Sequence, residues 1–253
     1  MKDKRLEGKL TRYLSFNRYV SFLSDGLFLS NAKLFEDPWE GQVYFRITAP
    51  PDEQKNLAAF VADRKKFIYI SCWHAAEEES YAMWKIYGKE DAVAIHTNGQ
   101  KLKTLLQDIY KQHKVKPILL TPVEYCSFSD KSLPNISKRD VFSISYNDDS
   151  NDKKIWFDAM QQFFMHKPIA YKFEQEVRII ALDKDAPNFL EVLSDYEEKS
   201  GIIVSINPRD FVESVTIAPW ADSAFVNAVK AVSKKFGIPE SIVKKSKLFD
   251  NPI

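Results

Sequence analysis

Strand-like and helix-like stretches alternate along this chain, yet no passage between them carries the glycine pattern that phosphate-cradling turns require. The sequence holds only seven glycines and contains neither G-x-G-x-x-G nor G-x-x-x-x-G-K-[ST]. Those glycines let a backbone approach a pyrophosphate at a helix N-terminus, so a chain without the pattern is a poor Rossmann or P-loop candidate. A dinucleotide, if bound, has to be held by side chains. The remaining expectation is an α+β fold, a single domain with a mixed or split β-sheet surrounded by helices.

Local patterns place the elements. Helices are expected over residues 17–25, ended by Gly26, then 52–66, 79–87, 99–113, 154–166 and 223–236, with a smaller terminal helix after Pro239. Strands are expected over 27–29, 67–73, 92–97, 118–125, 176–182, 202–206 and 215–218. The polar interval 127–153 reads as a long loop. No internal repeat and no Gly/Ser-rich or Pro-rich linker divides the chain, so residues 1–253 are read as one globular domain, with a core of about 10–219 and a C-terminal helical segment 221–253.

Composition narrows the function classes. A hydrophobic content of 45% supports a sizeable core, and 36 Lys and Arg almost cancel 35 Asp and Glu, so no global field favours nucleic acid or an anionic membrane. The opening MKDKRLEGK lacks an apolar h-region, and no apolar run of about 18 residues follows. A cytoplasmic protein without membrane contact is expected, with Cys72 and Cys126 as free thiols.

Three constellations are candidates for chemistry. Residues 35–41, Phe-Glu-Asp-Pro-Trp-Glu-Gly, set three carboxylates around a Pro-Trp in a loop. Its plain alternative is a turn in which Asp37 satisfies backbone donors and Trp39 fills the core. Ser71-Cys72-Trp73-His74 closes a strand, and Glu79-Ser80-Tyr81 with Met83-Trp84-x-x-Tyr87 follows on a helix. Ser80, Trp84 and Tyr87 share a helical stripe, and these aromatics form either a stacking wall for a planar ring or ordinary core packing. In the third stretch, residues 171–180, strand alternation points Glu174, Glu176 and Arg178 to one face and Phe173, Val177 and Ile179 to the other. An inward Glu-x-Glu pair can place one carboxylate on a sugar hydroxyl and the second near an incoming nucleophile. The alternative is a solvated edge strand in which Arg178 merely offsets the carboxylates.

Other chemistries have less support. His74, His96, His113 and His166 lie far apart in sequence, and Cys72-x-His74 lacks two further close ligands, so no metal is expected. No G-x-S-x-G elbow exists, and nothing local marks Ser71 or Cys72, paired with His166, as a nucleophile.

Together with Thr11-Arg12-Tyr13-Leu14-Ser15, these stretches resemble, in order, the bacterial domain-of-unknown-function family 2971, over about residues 10–219. That family resembles more distantly the ADP-ribosyltransferase superfamily, whose split sheet holds NAD in a cleft. The resemblance implies NAD as co-substrate, with Arg12 or Tyr13 as first-strand contact, Ser71 as central-strand serine, and Trp73 beside it. Tyr81 or Trp84 would face the nicotinamide. Glu176 would be the catalytic glutamate, binding the ribose hydroxyl and stabilising the oxocarbenium-like transition state, and Glu174 would position or deprotonate the acceptor. The acceptor class, whether protein, nucleic acid or small molecule, is left open, as is a toxin or defence role. Cys72 and Trp73 stand where the superfamily's Ser-Thr-Ser triplet would continue after Ser71. The rival expectation is a non-enzymatic regulatory module whose aromatic pocket recognises a ligand or partner.

Overall fold

The computed structural model describes residues 3–37, 40–41, 51–127, 142–144, 155–156, 158, 163–188, 191 and 195–250. Trp39 and nearly all of the polar interval 127–153 lie outside them. The architecture is α+β, with helices and 3-10 turns interspersed among the strands of a mixed, mainly antiparallel sheet. Contacts gather into two compact units, one of Met1–Asp3, Leu29–Cys72 and Lys103–Ile202, the other of Lys4–Phe28, Trp73–Leu102 and Ile203–Ile253.

In the first unit, β3 (Ile68–His74, through Cys72) lies between β2 (Leu27–Asn31, from Leu29) and β9 (Glu176–Leu182), with Ser30 opposite Ile70. Strand β10 (Gly201–Val204) forms where a strand over 202–206 is expected. On its other side β9 pairs antiparallel with β5 (Ile118–Pro122), Leu120 opposite Ile179, and β5 pairs with β7 (Phe142–Ile144). Every residue of β9 and β5 is buried, as their near-continuous apolar sequences require. Phe67, Ile68, Ile70, Leu119, Ile180 and Leu182 pack with Trp156, Phe164 and Met165 into one core. Burying side chains of this size is worth roughly 1.5–3 kcal/mol each.

The expected strand 118–125 is broken at Val123. β6 (Glu124–Cys126) leaves the main sheet and pairs in parallel with β8 (His166–Pro168), Tyr125 opposite Lys167. The expected helix 154–166 therefore ends early. Phe163 and Phe164 are helical, whereas His166 is extended because its backbone partner is β6.

In the second unit, β1 (Lys9–Ser15) pairs antiparallel with β4 (Ala92–Asn98), Arg12 opposite Ile95, and β4 pairs with β11 (Ser214–Ile217). The segment after Pro239 is not the helix expected. It is a 3-10 turn, Glu240–Ile242, leading into β12 (Val243–Lys245), which pairs in parallel with β11 and buries Val243. Helix α1 (Phe16–Ser24) ends at Gly26, whose φ of +119° suits glycine alone. Helix α2 (Pro51–Arg64) precedes β3. Ser80 caps α3 (Tyr81–Met83) by accepting the Met83 N–H at 3.3 Å, and a π-turn, Trp84–Gly88, continues it. Helices α4 (Gly99–His113), α5 (Pro208–Phe211) and α6 (Ser223–Lys235) follow, α6 being capped by Asp222. Among the described residues no helix is long and apolar enough to cross a membrane.

Candidate active site

The Ile169–Glu174 segment is wound into 3-10 turns, and Gln175, in the left-handed region at φ 42°, redirects the chain into β9. Strand alternation thus begins only at Glu176, and Glu174 reaches the site from the preceding turn. The N–H of Glu176 donates to the Tyr125 hydroxyl at 2.8 Å, so the departure of β6 from the main sheet helps fix the first residue of β9. Glu176 and Arg178 share a face, as alternation requires. That face is not solvated: β9 is internal to the sheet and Arg178 is fully enclosed, which overturns the edge-strand alternative.

A buried guanidinium needs a partner for each of its five N–H bonds. Arg178 has them. Nη1 donates to Glu40 Oε1 at 2.6 Å and to the Phe164 carbonyl at 2.8 Å; Nη2 donates to Glu40 Oε2 at 2.8 Å and Glu176 Oε2 at 2.7 Å; Nε donates to Glu176 Oε2 at 3.1 Å. The Glu40 contact is a two-pronged fork, the geometry in which arginine binds carboxylate most strongly. Gly41, at φ +66°, follows Glu40 closely under Phe164, where a Cβ would lie 2.7 Å from the ring.

The second cation is Lys167, placed by β8. Its ammonium stands 2.7 Å from Glu174 Oε2, 3.3 Å from Glu176 Oε2, 3.7 Å from Asp37 Oδ2 and 3.9 Å from Glu40 Oε2. Lys65 adds a third positive group, donating to the Glu40 carbonyl. Tyr171 lies against this cluster, its ring 5.2 Å from the Lys167 ammonium and its hydroxyl donating to Asp37 at 3.5 Å. Asp37, Glu40, Glu174 and Glu176, far apart in sequence, therefore converge on Lys167.

Burial and charge oppose one another here. Burial alone would raise the Glu176 carboxyl, but Arg178, Lys167 and a hydrogen bond from Cys72 outweigh it and hold the group below the ordinary range, so it is ionised at neutral pH. Burial and Arg178 pull Lys167 down, and Glu176, Glu40 and Glu174 more than reverse this, keeping it charged. Burial, reinforced by Glu176, pushes the Cys72 thiol up, so Cys72 is a neutral donor and a poor nucleophile. The cluster offers a fixed anion in a low-dielectric setting, able to stabilise positive charge developing beside it, with a second carboxylate held by the same ammonium.

Ser71, Glu174 and Glu176 belong to the first unit, where Ser71 is fully buried on β3. Arg12, Tyr13, Trp73, Tyr81 and Trp84 belong to the second. Arg12 donates to the Phe28 carbonyl at 3.2 Å and lies 5.9 Å from the centre of the Trp73 ring system. Trp84 is fully buried, donates its indole N–H to Glu79 at 3.0 Å, and meets Tyr13 edge to face at 4.8 Å. Burial first, with the Glu79 charge, pushes the Tyr13 hydroxyl up to about 12 although Ser80 N–H donates to it. Tyr81 alone of these aromatics is half exposed, at 51%. Lys167 was not among the residues expected from the sequence; its signal there is a lone charge inside the apolar run Phe163–Ala170, masked by the neighbouring proline. Among the described residues no group of three or more His, Cys, Asp or Glu is arranged to hold a metal ion.

Residues 83–179 match the model of the family described as "Protein of unknown function (DUF2971)". This interval contains Trp84 and the Glu174–Arg178 stretch and is shorter than the 10–219 expected from the motif order. No curated protein matches the chain. Among solved structures, the chain is similar to Thermus sp. 2.9 DarT in complex with NAD+, at 8% identity over 98% of each chain and a TM-score of 0.38. It is similar also to the same protein with ADP-ribosylated ssDNA, at 9% identity over 98% of this chain and 97% of that one, again with a TM-score of 0.38.

Proposed function

We propose that the first unit carries the catalytic carboxylate of an NAD-using ADP-ribosyltransferase. The observation that carries this reading is Glu176, a buried carboxylate held ionised at the first residue of an internal strand by Arg178 and Lys167. In the proposed reaction the bond between nicotinamide nitrogen and ribose C1′ breaks and its electron pair leaves with nicotinamide. Positive charge builds on the sugar, and Glu176 stabilises it while accepting a hydrogen bond from a ribose hydroxyl. An acceptor oxygen or nitrogen then bonds to C1′, and its proton passes to Glu174. Arg178 and Lys167 hold the carboxylates in place, and Tyr125 fixes the Glu176 backbone.

NAD binding should raise the apparent melting temperature of the wild-type protein with ligand concentration, as RT ln(1 + [L]/Kd) requires. Glu174→Gln should retain nicotinamide release and lose transfer to acceptor, whereas Glu176→Gln should lose both. No shift with NAD, or loss of nicotinamide release in Glu174→Gln alone, would overturn the assignment. One observation favours a second reading, a structural ion network in a non-enzymatic module: Arg178 has all five N–H bonds satisfied inside the protein. On that reading neither the wild type nor either variant releases nicotinamide from NAD.

A further inference from the structure

The second unit carries an aromatic cluster at the edge of its core, where half-buried Trp220 packs against Tyr13, Met83 and Trp84 and two further rings reach solvent. Tyr81 and Phe249 are 51% and 57% exposed, and their ring centroids lie 6.1 Å apart. Trp220 lies 6.3 Å from Phe249 and is fixed by its indole N–H, which donates to the Glu90 carbonyl at 2.7 Å. The exposed Lys85 ammonium stands 3.9 Å from the Trp220 ring centroid and 5.6 Å from that of Tyr81. Among the described residues no carboxylate pairs with it.

Trp84 shows what this chain does with an aromatic that its core needs: it is fully enclosed. Tyr81 and Phe249 instead present π-surface to water beside half-buried Trp220, around an ammonium that no carboxylate pairs with among the described residues. More positive charge lies beside it. Lys245 donates to the carbonyl of Ala221, next to Trp220, at 2.8 Å, and Lys244, Lys245 and Lys247 are exposed just before Phe249. The carboxylate of nearby Glu79 is occupied by Trp84 and Ser246. The ligand that complements the surface combines flat rings with negative charge.

We propose that Tyr81, Trp220 and Phe249 form a stacking platform for the unpaired bases of single-stranded nucleic acid, with Lys85 engaging a phosphate. Base stacking on aromatic side chains tolerates any sequence, because every base has a π-face, and a duplex hides those faces. A lysine ammonium meets a phosphate as a point charge. This assigns Tyr81 to the platform instead of to nicotinamide, and it does not depend on the chemistry at Glu176.

Fluorescence anisotropy of a labelled twelve-nucleotide oligo(dT), without NAD, tests the assignment on the full chain. The single strand should bind, and the same strand annealed to oligo(dA) should bind at least tenfold more weakly. Tyr81→Ala and Phe249→Ala should each weaken binding by about 5- to 150-fold, the range for losing one stacked base. Lys85→Gln should lower affinity and reduce the salt slope by about one counterion. Both aromatics are exposed, so circular dichroism should show folded variants. Glu176→Gln should bind as the wild type does, which separates this proposal from the reading of the active site. Equal affinity for single strand and duplex, wild-type affinity in both alanine variants, or binding to phosphatidylserine vesicles without binding to the oligonucleotide would each overturn it.

Discussion

Replacing Arg178 by methionine should expose how strongly the first unit depends on its buried ion network. The substitution keeps an unbranched chain of similar reach but removes five hydrogen bonds, two to Glu40, two to Glu176 and one to the Phe164 carbonyl. Lys167 remains, 3.3 Å from Glu176 and 3.9 Å from Glu40, and it also serves Glu174 at 2.7 Å. Removing one partner of a buried pair typically costs about 3–5 kcal/mol, because the remaining charge stays desolvated. In a chain of this size that corresponds to a fall in melting temperature of roughly 6–20 °C.

The pH dependence gives a sharper test. In the wild type the folded Glu176 carboxyl titrates below its ordinary 4.5, so its contribution is fully present above that value and is lost as pH falls through the folded value. Arg178 is the largest of the influences that oppose burial at Glu176, so without it the folded carboxyl should titrate higher than in the wild type, and above its unfolded value if Lys167 and Cys72 do not replace it. Its penalty is then greatest at neutral pH and eases on acidification. Urea melts at pH 7 and pH 5 should therefore show Arg178→Met gaining relative to wild type at the lower pH. A loss below about 1 kcal/mol at pH 7, or a deficit independent of pH, would mean that Arg178 does not hold Glu176 ionised.

Three further outcomes are expected. Burial, then the charge of Lys9, drives His96 down to about 3 between the Thr11 and Thr216 hydroxyls. Its ring resonances should stay flat between pH 8 and pH 5, and since its folded value lies below 6.5, its share of stability should fall as pH drops below 6.5; an NMR midpoint near 6.5 would contradict this. Gly26→Ala forces a side chain into φ +119° and against the Val204 carbonyl, and should cost roughly 1–3 kcal/mol in a urea melt. Trp84→Ala should cost roughly 3–5 kcal/mol while Tyr81→Ala costs less than about 1, because only Trp84 is enclosed; equal losses would show that the burial contrast is wrong.

Much of the sheet was legible because β3, β4, β5 and β9 are apolar runs long enough to register as buried strands. Strands β8 and β12 were not, since three residues carry no period and His-Lys-Pro and Val-Lys-Lys resemble helix ends or loops until a partner strand is known. The Phe-Glu-Asp-Pro-Trp-Glu-Gly motif drew attention to Asp37 and Glu40, but their link to Arg178, 138 positions beyond Glu40, depends on tertiary pairing. The aromatic excess proved divided: Trp73 and Trp84 belong to the interior, Tyr81 and Phe249 to the surface. Spacing alone could not separate them, because stacking and packing use the same residues at the same helical intervals.

On the proposed reading Glu176 acts as a charged group in bond cleavage, and nicotinamide release from NAD by wild type and Glu176→Gln at equal concentration of folded protein measures that role. The substitution preserves shape and removes the negative charge. Wild type should release nicotinamide measurably, and the variant at a rate at least about 100-fold lower, the scale of losing one preorganised electrostatic contact to a transition state. Equal rates in the two proteins, or no release by either, would contradict it.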